Sequence, residues 1–116
     1  MSDMSETTID RATYAELQDT AGADFVKELV QTFLEEAPPL LQSMHDALAT
    51  GDADAFRRAA HSLKSNSLIF GALALGAMAR EQELGGFEAA RRPGALDALE
   101  AEYGRAAEAL AELSRG

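Results

Sequence analysis

The stretch Arg57-Arg58-Ala59-Ala60-His61-Ser62-Leu63-Lys64-Ser65-Asn66-Ser67-Leu68-Ile69-Phe70-Gly71 decides how this chain folds, because its apolar residues keep a helical period. Advancing about 100° per residue from His61, the residues Ala59, Ala60, Leu63, Ser67 and Phe70, with Phe56 just before, fall between roughly 160° and 260°. They form one apolar stripe, the face a helix buries. Arg57, Lys64, Ser65 and Leu68 fall within roughly 60° of His61 on the opposite side. The imidazole is therefore expected to face solvent, with cations one turn away in each direction.

Outward from this helix, the same period organises the rest of the chain. Upstream, Phe25, Leu29, Phe33, Ala37, Leu41, Met44 and Leu48 recur every three or four residues, and the register holds across Pro38-Pro39. This spacing predicts one long helix kinked by the prolines, since a break would reset the phase. Asp10 suits the N-cap of a short first helix carrying Tyr14 and Leu17, Gly22 opens the long helix, and Asp52 suits the cap of the His61 helix. Gly71 is expected just past the end of that helix. A further helix carries Leu75, Met78, Ala79 and Gln82 as far as Gly85-Gly86. Pro93 fits the first turn of the last helix, whose stripe is Leu96, Leu99, Tyr103, Ala106, Leu110 and Leu113. The fold expected is all-α, an antiparallel four-helix bundle with a short additional N-terminal helix laid across one end. Residues 1–8 read as a disordered tail, and residues 9–116 as one domain.

Composition agrees with close-packed helices. Hydrophobic residues make up 47% of the 116, yet only 6% are aromatic, so the core must come mainly from Ala and Leu. There is no cysteine, which excludes disulfides and thiolate metal sites. Ten basic residues against twenty acidic ones give a net charge of −10, which argues against nucleic acid as a partner. No apolar run is long enough to span a membrane, and the polar start Met1-Ser2-Asp3-Met4-Ser5-Glu6 is no signal peptide. A cytoplasmic monomer is the expectation, and the initiating Met1 favours a free-standing protein over an excised domain.

In so acidic a chain, cations gathered about one imidazole point to chemistry on an anion. Helical side chains lean toward the N-terminus, so Lys64 and Ser65 tilt back over His61 while His61 leans toward Arg57. An exposed imidazole is largely neutral at pH 7, which leaves a ring nitrogen free to attack. The surroundings suit a phosphoryl adduct and an acidic partner. Other chemistries find less support. His45 is the only other imidazole, no His pair has metal-ligand spacing, no nucleophile elbow accompanies the serines, and no glycine-rich phosphate loop is present. No metal and no resident cofactor are expected.

The run Ala60-His61-Ser62-Leu63-Lys64, followed by small residues and Gly71-Ala72, resembles the histidine-containing phosphotransfer (HPt) domain family of multistep phosphorelays. The resemblance extends from about Ile9 to Leu113 and takes in Ile9-Asp10, Tyr14, Leu17, Gly22, Phe25, Leu29 and Phe33-Leu34 upstream, and Leu75, Met78, Ala79 and Glu83 downstream. It implies that His61 accepts a phosphoryl group at Nε2 from a receiver-domain aspartate and relays it to another receiver. It also implies that Lys64 neutralises charge on the transferring group, and that the partner supplies Mg²⁺ and most catalytic groups. The chain would be a phosphocarrier with no ATP site of its own. Ser65 stands where the family has glycine, Asn66 is bulkier than the usual next residue, and Gln82 replaces an apolar one. Arg57, Arg58, Leu68, Ile69 and Gly71 are the expected receiver-binding residues. A non-catalytic helical adaptor, or a domain cut from a hybrid sensor kinase, are the competing readings.

Overall fold

A computed structural model describes residues 8–115, and two of its helices open on aspartate side-chain caps. Asp10 accepts from the Thr13 backbone N–H and opens α1 (Arg11–Ala21). Gly22, at φ +94, separates α1 from α2 (Ala23–Thr50), a turn that a side chain would strain. Gly51 closes α2 in the left-handed region, and Asp52 then accepts from the Ala55 N–H to start α3 (Ala53–Ile69). After α3 come α4 (Leu73–Leu84), the single turn α5 (Phe87–Ala90) and α6 (Asp97–Arg115). There is no strand among the described residues.

The long helix runs unbroken through Pro38 and Pro39. Both prolines are exposed, so the carbonyls that lose an N–H partner lie where water can replace it, while Phe33, Ala37, Leu41 and Met44 stay buried on the other face. Packing closes a ring of four. α2 lies against α3, α3 against α4, α4 against α6 and α6 back against α2, with α1 resting on α2 and α3. Short turns make the neighbours α2, α3 and α4 antiparallel. Phe56, Met44, Leu63, Leu75, Leu99 and Leu110 fill the centre, each worth about 1.5–3 kcal/mol of burial. Phe33 bridges Phe70 at 5.4 Å and Tyr103 at 6.0 Å between ring centroids, tying α2 to the end of α3 and to α6.

Two expectations need correction. Phe25, read as the start of the apolar stripe of α2, is 51% exposed, and Val26 and Val30 are buried in its place, in phase with Phe33 and Ala37. Pro93 does not open the last helix; it lies four residues before α6, because Gly94 takes φ +78, which a right-handed helix cannot continue. The short helix α5 is an addition that no sequence period announces. Its Phe87 sits edge-on to Phe56 at 5.9 Å, so one tertiary contact holds a turn too short to show a period. Residues 1–7 of the expected N-terminal tail lie outside the described residues, and Thr8 is buried.

Candidate phosphoacceptor site

Every residue assigned to the apolar stripe of α3 is buried: Phe56, Ala59, Ala60, Leu63, Ser67 and Phe70. Ser67, the one polar member, is satisfied by donating its hydroxyl to the Leu63 carbonyl at 2.6 Å. His61 therefore stands on the outer face, its side chain 57% exposed.

It does not stand alone. From α4, Glu83 reaches across and places Oε2 2.7 Å from His61 Nδ1, while its Oε1 lies 3.1 Å from Lys64 Nζ. Glu83 is only 13% exposed, so one carboxylate holds the imidazole and the ammonium from below. Lys64 first and His61 second hold the Glu83 carboxyl below the ordinary value near 4.5. At neutral pH it is a carboxylate and can only accept a hydrogen bond. The proton in the His61–Glu83 contact therefore belongs to Nδ1, and in a neutral ring the lone pair is left on Nε2. With Nδ1 engaged by Glu83, the unprotonated nitrogen of the neutral ring is Nε2, on a side chain that is 57% exposed.

The depressed carboxyl has a consequence for stability. A carboxylate whose pKa falls on folding contributes stability above its unfolded value and loses it as pH drops through the folded value. Wild type should therefore be more stable than Glu83→Gln at neutral pH, and the difference should shrink as pH is lowered below about 4. Denaturant melts of both proteins at several pH values measure this. A difference that does not change with pH would remove Glu83 as an ionised partner.

The other expected site residues divide. Arg57 and Arg58 do not point their charge freely at His61: both guanidinium groups bind Asp54, at 2.5 Å and 3.2 Å, on the exposed side of the same helix. Leu68 and Ile69 are 42% and 50% exposed near the end of α3, available to a partner. Ser65 is exposed and its hydroxyl makes no hydrogen bond among the described residues. Gly71 does not belong on a docking face. It is buried beneath α1, its carbonyl accepting from Asp10 N–H at 2.7 Å, and a Cβ there would sit 2.7 Å from the Asp10 carbonyl oxygen. Its φ of +82 shows its actual task. The Gly71 N–H donates to the Leu68 carbonyl and the Ala72 N–H to the Ser67 carbonyl, the paired bonds that end a helix and turn the chain into α4.

The rival histidine is built differently. His45 Nε2 lies 2.8 Å from Glu100 Oε1, linking α2 to α6, so its outer nitrogen is already engaged. Its ion pair contains no lysine or arginine.

The family model of the Hpt domain matches residues 28–115, most of the chain, from within α2 to the last residue of α6. This chain belongs to the Hpt domain family. Hpt domains serve phosphotransfer in phosphorelays, as phosphocarriers that interact with receiver domains. No curated protein and no solved structure matches the chain. In this Hpt domain no described helix is long and apolar enough to cross a membrane.

Glu83 has no role that the sequence makes legible. Its place in the resemblance is visible, but it lies 22 residues from His61 on another helix, and no local pattern joins them. A helix–helix register is the signal that finds it. His61 and Glu83 each lie eleven residues from Ala72, on either side of the turn that Gly71 makes.

Proposed function

We propose that this Hpt domain accepts a phosphoryl group on His61 Nε2 from the aspartyl phosphate of a receiver domain and passes it to the aspartate of a second receiver. The observation that carries this reading is the Glu83 carboxylate 2.7 Å from Nδ1, which leaves an exposed Nε2 as the nucleophile. In the forward step the Nε2 lone pair attacks phosphorus, a P–N bond forms, and the P–O bond to the receiver's aspartate breaks to release a carboxylate. The proton stays on Nδ1. The ring gains positive charge as the P–N bond forms, and Glu83 is already in place to offset it. An ammonium has three donors, so Lys64 can hold Glu83 and still offer N–H groups to the phosphoryl oxygens.

Receiver docking falls to the surface around Leu68 and Ile69, where apolar area is exposed on the same helix as His61. Arg57 and Arg58 would orient an acidic receiver pocket by exchanging part of their pairing with Asp54 for the partner's carboxylates. The receiver supplies Mg²⁺ and the groups that activate its own aspartate, and the cytoplasm is where such partners would be met.

Incubation with a phosphorylated receiver domain tests this directly. The chain should acquire acid-labile, base-stable label and give it up to an unphosphorylated receiver. Binding without label would favour a non-catalytic adaptor.

Ser65 makes a finer test within this reading. Because its hydroxyl bonds nothing among the described residues, it occupies space beside the imidazole without visible return. Ser65→Gly should speed or tighten transfer, despite a helix cost of about 0.5–1 kcal/mol. Slower transfer, or a shorter phosphohistidine lifetime, would mean that the hydroxyl contacts the phosphoryl group once it is in place.

A further inference from the structure

The hydrogen bond between Glu83 and His61 spans two helices, so its length depends on how closely α3 and α4 approach. Two small residues, Gly76 and Ala79, lie on the face of α4 that also carries Glu83, all three within about 60° of one another. All are held in the interface: Gly76 and Ala79 are buried, and Glu83 is nearly so.

At Gly76 there is no room for a side chain. A Cβ built there would fall 2.6 Å from Leu68 Cδ2 and 2.9 Å from Leu68 Cγ, and 3.7 Å from the Lys64 carbonyl oxygen. Leu68 thus lies flat over a glycine, in space that any side chain would take from it. The clash includes Cγ, so turning the terminal methyls would not relieve it, and a helical leucine has few other rotamers. The register joins this point to the site. Leu68 and Gly76 each lie four residues from Ala72, as His61 and Glu83 each lie eleven from it. The two pairs are successive rungs of one antiparallel ladder, two helical turns or about 10 Å apart.

We propose that Gly76 is a positioning residue for the phosphoacceptor: by letting Leu68 lie against its bare backbone, it sets the α3–α4 spacing at which Glu83 can hold His61 Nδ1. Gly76 touches neither the imidazole nor any incoming group. It acts through Leu68 and the helix spacing, and through them on which ring nitrogen keeps its lone pair. The proposal rests on Nε2 being the phosphoacceptor for its meaning, but not for its test.

That test is the tautomer of His61, read by long-range ¹H–¹⁵N spectroscopy on the full chain at about pH 8.5, above the usual imidazole range. Wild type should show His61 with the proton on Nδ1. Gly76→Ala should weaken or lose that signature in favour of Nε2–H, while circular dichroism still reports a helical fold. Leu68→Ala/Gly76→Ala, which removes the atoms the new methyl would strike, should restore the Nδ1–H form. Because circular dichroism reports the fold separately, a change of tautomer at unchanged helicity is not a loss of the bundle. Wild-type tautomer in Gly76→Ala would overturn the proposal, because Leu68 would then have swung aside without moving the helices. Failure of the double variant to recover would overturn it equally. If Gly76→Ala does not fold, the double variant alone decides: an Nδ1–H tautomer there supports the pairing, and its absence sinks it. A wild-type chain that takes no label from a receiver would defeat the proposed function and leave these spectra unaffected.

Discussion

His61→Gln should abolish phosphoryl labelling and leave the bundle intact. The two halves of that expectation have separate causes. Glutamine has no nitrogen lone pair able to form a P–N bond, so the loss should be complete rather than partial. The fold should survive because His61 lies off the buried stripe, with its side chain 57% exposed, and exposed substitutions usually stay within about 0.5 kcal/mol. Glutamine can also donate from its amide to Glu83, so the carboxylate need not be left bare. His45 is not expected to take over, since its Nε2 already meets Glu100. Mass spectrometry of the labelled chain, with thermal melts alongside, would check both halves. Label persisting in His61→Gln and vanishing in His45→Gln would reverse the assignment.

Glu83→Ala should have the next largest effect, slowing transfer by about an order of magnitude or more, the scale seen when the partner that orients a reactive histidine is removed. Three things are lost together. The imidazole is no longer held in the Nδ1–H tautomer, the positive charge that forms on the ring loses its counter-charge, and Lys64 loses the group that places it. Glu83→Gln separates them. Its amide oxygen can still accept from Nδ1–H but carries no charge, so it should fall between wild type and alanine in single-turnover rate. Receiver affinity should change little in either variant, because Glu83 lies beneath the imidazole and is mostly buried. Equal rates in wild type and Glu83→Ala would reduce the contact to a structural ion pair.

Much of the fold is legible in the chain itself. The period through Phe56, Ala59, Ala60, Leu63, Ser67 and Phe70 separates a buried face from an exposed one, and all six are buried. That separation needs only the geometry of one helix, so it holds without knowledge of neighbours. The continuity of α2 through Pro38-Pro39 is legible for the same reason, as are the caps at Asp10 and Asp52. The Hpt match over residues 28–115 bears out the family that the His61 motif suggests.

Features that depend on a second element are not legible in this way. Gly71 closes the His61 motif and so suggests a docking face, but α1 folds over it and takes it out of reach. Arg57 and Arg58 flank His61 in the sequence, whereas Asp54 claims both guanidinium groups. Pro93 suits a helix start that Gly94 delays.

The sequence by itself determined the long helices, the face that α3 buries, the exposure of His61 and the family of the chain, because these follow from periodicity and local backbone chemistry. Only the tertiary structure decided which nitrogen of His61 is free. That choice is made by a carboxylate 22 residues away, delivered by the register of α3 against α4, and a register between helices is set by how large and small side chains fit across the interface rather than by any local pattern.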